Sequence, residues 1–519
     1  MSATAEAAAA RSEGAAGLLS RMLEADLARP LPLAILSAVY LASRVPLLNL
    51  GYGADPDTYR VALSARYLRD HASYLPSRLP GYPVHELVTA LLFPLGPVAT
   101  NAATMVVSLL AVWWFALLVR DLRLPMRALL VVAFAFAPLT WINSTVTHDF
   151  LWAISFMLAG YLAATRGRWR LAGLLLGLAA GCRLTSAALV IALLPLAWRS
   201  GRRAAVTLAV TAAITALVVY SPVWVRYGIH TFAYSAYRPP IREVMRAVTS
   251  QFLGLPAFVV LVAALLWGWR RLGALPGRLR DDPHLLAWTI EIGVVVLMYS
   301  RLPVKEDYLL PVIPFGLMWL ARVMPRGWTG AIAGLMLLAN GVTVYTASPQ
   351  GWLAPTSLLD LRPRQGLLLQ DRQLRVDRMQ TVERVGTFCV PDHSVVTIGF
   401  YFPYFAEIQR DRLQWHVPPL DRGVVGPLTD KATLTPAGHD IKYVWLLDKK
   451  QALAYLARGY TIYSTNFLLE DRAVEVFDAF PRGVQDVLAK YGKGADHPGP
   501  RMLCHPDGTL TPAPPSADG

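Results

Sequence analysis

The sequence predicts an α-helical polytopic membrane protein of about eleven transmembrane helices, carrying a small C-terminal extracytoplasmic α/β domain. Three observations predict it. Only 16% of the 519 residues are charged, 55% are hydrophobic and the mean hydropathy is +0.40; soluble domains carry roughly a quarter of charged residues. Apolar windows near the ~20 residues that a spanning helix needs recur from Pro30 to Tyr345. Beyond about Ser348, proline and charge rise and no further window is long and apolar enough to span.

In chain order, residues 1–29 form an Ala-rich cytoplasmic segment of mixed charge, with no apolar run that would read as a cleavable leader. The spans that follow are Pro30–Leu50, Thr100–Val119, Arg127–Thr147, Phe150–Ala164, Ala204–Val225, Thr249–Trp269, Leu285–Ser300, Tyr308–Ala321 and Trp328–Tyr345. The stretch Leu171–Trp198 is either one long helix or two short ones meeting at Gly181-Cys182-Arg183. Positive charge chooses between them, because cytoplasmic loops carry the Lys/Arg excess. With a hairpin tipped by Arg183, four inner segments hold three Lys/Arg each and two others hold four and two, mostly in very short loops. The outer segments hold four, none, one, four and two, over longer lengths. A single span would put Arg199–Arg203 outside and invert everything after it, so the hairpin is the better reading. Residues 30–347 then form one transmembrane domain with a first outer loop at 51–99. In that loop Val84–Leu95 contains Glu86, is too short to cross, and reads as an interfacial amphipathic helix. Arg60–His71 is a second candidate of that kind.

Residues 348–506 change character. Ser394–Gly399 and Lys442–Leu447 read as short buried strands, and Val376–Gly386, Lys450–Arg458 and Ala473–Tyr491 as helices, which predicts a small α/β domain. The tail 507–519 is Pro-rich and is expected to be disordered. Three cysteines are too few for a disulfide framework. Cys182 reads as a packing residue within a span, whereas Cys389 and Cys504 both fall in the C-terminal domain and would pair in an oxidising compartment. The net charge of +14 is topological: its residues come as short Arg clusters between spans, with no basic, aromatic-interleaved stripe to bind nucleic acid.

Four polar constellations fall on the same outer face in this topology. The first is Gly51-Tyr52-Gly53-Ala54-Asp55-Pro56-Asp57-Thr58-Tyr59-Arg60, directly after the first span. The second is Thr147-His148-Asp149, opening the fourth span; the third is Arg183; the fourth runs from Arg301 through Lys305 to Tyr308. Each also has a plain structural reading. Asp-Pro-Asp is good turn chemistry, Asp149 suits a helix N-cap, Arg183 can snorkel to headgroups, and Arg301–Tyr308 can be an ordinary interfacial loop. Their convergence on one side favours function, because acids at a membrane boundary are costly without a role. Chemically the set suits group transfer from a lipid phosphate. A carboxylate deprotonates the acceptor, while Arg, Lys and a Tyr hydroxyl hold the phosphate that leaves. A second carboxylate positions the acceptor or contributes to an optional divalent cation, Mg2+ or Mn2+, for which Asp57 and Asp149 are the candidate ligands.

The motifs and their order resemble the GT-C superfamily of polyprenyl-phosphate-dependent glycosyltransferases, among them the protein O-mannosyltransferases and the aminoarabinose–lipid A transferases. Tyr52-Gly53-Ala54-Asp55 with Tyr59 resembles the first-loop motif that carries the catalytic acid. Leu79-Pro80-Gly81-Tyr82-Pro83-Val84-His85 resembles the Gly-Tyr-Pro segment before the interfacial helix, and Asp149 the acid that opens the fourth span. The Gly-rich run Leu171–Arg183 and the Lys305–Pro314 segment (KEDYLLPVIP) resemble the Gly-rich span ending in Arg and the Tyr-Leu-Leu-Pro signature near the lipid phosphate. The likeness extends from Pro30 to Tyr345. Two departures stand out: many relatives have Asp-Glu where this chain has Asp55-Pro56, and His where it has Asp307.

The resemblance implies an inverting sugar transfer from a polyprenyl-phosphate donor to a glycan, lipid or protein acceptor outside a bacterial plasma membrane. Asp55 is the expected general base, with Asp57 and Asp149 organising the acceptor or a metal. Arg183, Arg301, Lys305 and Tyr308 are expected on the donor phosphate, with Tyr59, Arg60 and His148 beside them and His85 and Glu86 on the acceptor side. The competing readings are a transporter or flippase for a lipid-linked sugar, a lipid-linked glycan polymerase or ligase, and a glycan-binding scaffold. Transporters place their acids near the bilayer midplane within repeats, whereas here they cluster at one boundary and no repeat is apparent.

Overall fold

A computed structural model describes residues 21–228, 241–268, 273–345, 360–390, 392–416, 431–447, 449–464, 502–504 and 510–512. Its helical part opens with α1 (Pro30–Arg44). The first loop then folds as α2 (Pro56–His71) and α3 (Pro83–Leu92). Next come α4 (Gly96–Asp121), α5 (Arg127–Phe136), α6 (Pro138–Asn143) and α7 (Phe150–Thr165). They are followed by α8 (Trp169–Cys182), α9 (Ala188–Arg199) and α10 (Arg202–Tyr227). Further along come α11 (Leu255–Trp267), α12 (Pro283–Arg301), α13 (Val312–Val323) and α14 (Arg326–Leu338), with a short helix at Leu275–Asp281 before α12.

Eleven long spans do not appear among the described residues. Four helical runs are long and apolar enough to cross a membrane: Pro30–Leu47, Pro83–Asp121, Arg202–Tyr227 and Pro283–Arg301. A fifth would be the pair Val244–Gln251 and Leu255–Trp267, which meet at 89°, and five further apolar helices have 10–17 residues. The breaks have identifiable causes. Pro138 ends α5 because a proline cannot donate to the helix ladder. Gly254, at φ +84°, separates the two arms of the bent pair. Buried Arg44 satisfies the opened backbone at the first of these breaks. It donates to Ala135 O at 2.5 Å and Ser144 Oγ at 2.9 Å, and its guanidinium lies 3.5 Å from the Tyr40 ring centre. Along α10, Val206, Val210, Ile214, Leu217, Val218 and Val225 are all exposed, a surface suited to lipid and not to water.

Two loop helices differ from expectation. The segment expected as a separate interfacial helix is present as α3, but it runs through a 3₁₀ turn (Phe93–Leu95) into α4, giving a 39-residue apolar run. Helix α2 starts at Pro56, and Pro56–Ala65 are buried, so its apolar side meets protein. The Gly-rich α8 is explained by packing: Gly173, Gly177 and Gly181 line up at i, i+4 against α10, where a Cβ on Gly173 would lie 2.7 Å from Leu208 O. Small residues let the two backbones approach closely, which fixes Arg183 just past the end of α8.

The C-terminal part is α/β, as expected. Its five-stranded sheet has the order β5 (Leu413–His416), β6 (Thr433–Pro436), β7 (Ile441–Val444), β4 (Ser394–Thr397), β8 (Thr461–Ser464). Strands β7, β4 and β8 are parallel, with Val396 opposite Tyr443 and Tyr463, and β5–β6 is an antiparallel edge. Helices α15 (Leu367–Thr387), α16 (Phe402–Ile408) and α17 (Lys449–Ala457) accompany it. Two smaller sheets pair β1 (Val342–Tyr345) with β2 (Asp360–Gln365), and β3 (Phe388–Cys389) with β9 (Met502–Cys504), which also pairs β10 (Leu510–Pro512). The backbone puts Cys389 opposite Met502, but the side chains of Cys389 and Cys504 lie outside the described ones. The helix expected at Ala473–Tyr491 lies outside the described residues, as does most of the tail.

The C-terminal domain packs directly behind the first loop. Tyr52, Tyr59, Ala62 and Leu63 share one apolar cluster with Val382, Val396, Phe402, Tyr404 and Phe405. Tyr404 Oη donates to Ala54 O. Arg375, 1% exposed, donates to Thr145 O at 3.2 Å and Thr145 Oγ1 at 2.9 Å while pairing with Asp371 at 2.6 Å. The loop that carries Asp55 is thereby held between two domains.

Candidate active site

Local sequence chemistry places the first two acids. Gly51 and Gly53 have φ of +70° and +150°, and a Cβ on Gly51 would collide with the Tyr59 hydroxyl. The chain turns there and enters α2 with Asp55 as N-cap and Pro56 at the first helical position, a pairing that suits a helix start. Asp55 Oδ1 accepts from the Asp57 N–H at 2.8 Å. The turn reading and the functional reading of Asp-Pro-Asp thus coexist. Both carboxylates sit at the positive end of the helix dipole.

Around them the fold assembles an ion network from four distant segments. Lys305 Nζ donates to Asp55 Oδ1 at 2.7 Å, Asp55 Oδ2 at 2.5 Å and Asp57 Oδ2 at 2.5 Å. Arg60 Nη1 donates to Asp57 Oδ1 at 2.6 Å. Arg78 joins the two halves of the site: its Nε lies 3.4 Å from Asp57 Oδ2 and its Nη2 donates to Asp149 Oδ1 at 2.9 Å. Arg183 Nη1 donates to Asp149 Oδ2 at 2.8 Å. The Arg183 guanidinium also lies 3.9 Å from the Phe150 ring centre and 4.6 Å from that of Tyr308. Asp149 holds the N-cap position of α7, yet its side chain makes no cap bond and faces the two arginines. Among the described residues, these four cations and three carboxylates are joined in one network.

The electrostatics follow from burial set against these partners. Burial alone would raise Asp55; the Lys305 ammonium outweighs it and holds the carboxyl below its ordinary value. For Asp57 the same burial is overridden by Arg78, Lys305 and Arg60, and the carboxyl falls well below its usual range. Burial would lower Lys305, but Asp55 and Asp57 raise it. His148 is driven by burial down to about 4 despite the neighbouring Asp149 carboxylate, so its imidazole is neutral at pH 7. Asp307 goes the other way: burial, then Glu306, push its carboxyl up to about 8. Asn143 Nδ2 donates to Asp307 Oδ1 at 2.8 Å.

The remaining expected residues divide. Tyr308 stands beside Arg183. Tyr59 turns to the C-terminal domain, its hydroxyl 2.9 Å from Met379 Sδ and its ring 4.2 Å from that of Tyr404. Glu86 is buried and occupied: it accepts from the Tyr74 hydroxyl, from Ser77 N–H at 2.9 Å and from Tyr82 N–H at 3.2 Å. His85 is buried with its ring edge-on to Trp152 at 5.4 Å. Arg301 is exposed at the end of α12, and no ion pair among the described residues includes it. Sequence reasoning missed Arg78. Its only local signal is a lone cation just before the Leu79-Pro80-Gly81-Tyr82 motif, over whose Tyr82 ring it lies at 4.2 Å.

A divalent cation can be tested against these side chains. Asp149, expected as a ligand with Asp57, has its oxygens on Arg78 and Arg183. Among the described residues, the group that brings three donors within 4.8 Å of one another is Asp55, Asp57 and His148. The donor chemistry suits a metal, but Lys305 Nζ already stands on both acids. As arranged, the Lys305 ammonium stands where such a metal would sit.

No family model and no curated protein matches this chain. Among solved structures it is similar to ArnT from Cupriavidus metallidurans bound to undecaprenyl phosphate, with 15% identity over 72% of this chain and 84% of that one and a TM-score of 0.44. It is likewise similar to ArnT from Cupriavidus metallidurans in the apo state, with 15% identity over 73% and 88% and the same TM-score of 0.44. A likeness of that size fixes neither the family nor the activity of this chain.

Proposed function

We propose that this protein is an integral membrane glycosyltransferase. It moves a hexosyl or pentosyl group from a polyprenyl-phosphate donor to an acceptor hydroxyl or amine on the extracytoplasmic face. The observation that carries the reading is a buried arginine that bridges two of the acids and keeps a donor unused. Arg60, Arg78, Arg183 and Lys305 face Asp55, Asp57 and Asp149, and Arg78 Nη1 is buried without a hydrogen-bond partner. An idle, buried guanidinium donor calls for an acceptor, and a phosphate oxygen supplies one. The motif order described above supports the same class. In this reading the N-terminus is cytoplasmic, the C-terminal domain is extracytoplasmic, and the membrane is a bacterial plasma membrane.

In the reaction, the acceptor oxygen or nitrogen attacks the anomeric carbon of the sugar and its proton passes to Asp55. The bond from that carbon to the phosphate oxygen breaks, and the electron pair leaves on the phosphate. Arg78, Arg183 and Tyr308 stabilise the charge that grows there. A single displacement inverts the anomeric centre. Lys305 couples the two ends: an arriving phosphate draws the ammonium from Asp55, which frees a carboxylate oxygen for the acceptor only when donor is bound. Asp57, held by Arg60 and Arg78, keeps its place throughout.

The test is glycosyl transfer by purified protein in lipid, offered a panel of polyprenyl-phosphate sugars, with wild type beside Asp55→Asn. Release of free polyprenyl phosphate by the wild type, and none by the variant, supports the reading and identifies the donor. Donor translocation without sugar release, indifferent to the substitution, would establish the transporter instead.

A further inference from the structure

His148 is 2% exposed, and neither of its ring nitrogens makes a hydrogen bond. Asp149 Oδ1 stands 3.8 Å from Nδ1, too far to satisfy it, and one face of the ring stacks on Phe150 at 4.5 Å. The residue before it is pinned: Thr147 N–H donates to Tyr52 O at 2.9 Å and Thr147 Oγ1 to Asn101 Oδ1 at 2.8 Å. Buried polar atoms are nearly always paired, so an imidazole idle at both nitrogens needs a physical account. The account lies beside it, since Asp55, Asp57 and His148 bring one donor atom each within 4.8 Å.

We infer that Asp55, Asp57 and His148 form a site for a borderline transition-metal dication of the Zn2+, Mn2+ or Co2+ kind, which binds in exchange for the Lys305 ammonium and switches the transferase off. The imidazole sets the class of ion: nitrogen with carboxylates suits these metals, whereas Mg2+ prefers oxygen and water in a near-ideal octahedron. The exchange follows from Coulomb's law, because a dication and an ammonium cannot share the same two carboxylates at contact distance. The switch follows from charge, since a dication bonded to Asp55 lowers the basicity of the whole carboxylate that would take the acceptor's proton. Uptake of the metal stands on the site geometry by itself; only the inhibition rests on the transferase reading.

Tag-free, chelator-stripped full-length protein in lipid nanodiscs is titrated with Co2+ and followed by visible absorption. One Co2+ should bind per chain, Zn2+ should displace it, and roughly a hundredfold excess of Mg2+ should leave the spectrum unchanged. Lys305→Met should tighten Co2+ binding by about tenfold or more, and His148→Gln should weaken it by a similar factor and alter the bands. Absence of a Co2+ spectrum in the wild type, equal competition by Mg2+, or a spectrum unchanged in His148→Gln would overturn the site; the first two need no variant to fold. Zn2+ should abolish sugar transfer and EDTA restore it, and transfer that persists with the Co2+ site filled would overturn the switch. A protein that binds Co2+ as described but transfers no sugar under any condition would count against the glycosyltransferase reading and leave the metal site standing.

Discussion

Replacing Lys305 with Met tests whether this lysine governs Asp55 or merely holds donor. In the free protein its Nζ lies 2.5–2.7 Å from three carboxylate oxygens, and Asp55 has no other cation in contact among the described residues. With charge centres about 3.5 Å apart and an effective dielectric of ~20, the attraction is about 5 kcal/mol. Side-chain exposures of 21% for Lys305 and 23% for Asp55 let solvent screen more than half of that, leaving about 2 kcal/mol. That corresponds to about 1.5 pH units. Asp55 lies below its ordinary value with Lys305 present, so losing the ammonium leaves burial and Asp57 unopposed and the carboxyl rises. The acid limb of kcat/KM, which reports the free enzyme, should therefore move up by about 1.5 pH units in Lys305→Met. A donor KM that rises while the acid limb stays where it was would refute the reasoning and leave Lys305 as a phosphate ligand only.

Arg78→Lys keeps the charge but cannot reach Asp57, Asp149 and the donor together; kcat/KM should fall by roughly 10²-fold, and a fall under threefold would remove Arg78 from the site. Asp307 is pushed up to about 8 by burial and Glu306, so above that pH it gains a negative charge beside the cations that receive phosphate. Donor KM should rise through pH 8 in the wild type and stay flat in Asp307→Asn; identical alkaline profiles would exclude Asp307 as the cause. Arg375→Ala removes the guanidinium that ties α15 to Thr145 and leaves buried acceptors unpaired. The cost should be about 2–4 kcal/mol, and amide exchange should quicken around residues 47–60. Unchanged protection there would mean that the C-terminal domain does not brace the first loop.

Much of the ion network is legible in the sequence because its members sit in short motifs with strong local chemistry. Asp55, Asp57, Asp149, Arg183 and Lys305, read from four separate segments, enter one ion network. Arg78 escaped notice because nothing near it in sequence signals its partners, which arrive through folding alone. Arg301 was grouped with Lys305 by proximity in sequence, but it ends a helix on an exposed side while Lys305 continues into the turn that faces Asp55. A hydropathy window sees the apolar run Arg127–Thr147 and not the interruption at Pro138. In the C-terminal domain β4 and β7 are visible as buried apolar runs, whereas β5 and β6, an antiparallel edge pair reading LQWH and TLTP, carry too little apolar signal to separate from loop.

The pairing of distant segments also sets an order of assembly. Lys305 is 250 residues from Asp55, Met379 is 320 from Tyr59, and Tyr404 is 350 from Ala54. At about 5–20 residues per second, a ribosome needs roughly 20–70 s after making Ala54 before Tyr404 exists. The lysine arrives 250 residues after its acid and the backing 350 residues after the loop, and contacts of such long separation form late. The site is therefore among the last parts of the protein to come into being. A chain cut short after α14 would keep its hydrophobic bulk and every member of the ion network, yet lack the Tyr404 and Arg375 contacts that hold the first loop and Thr145 from behind.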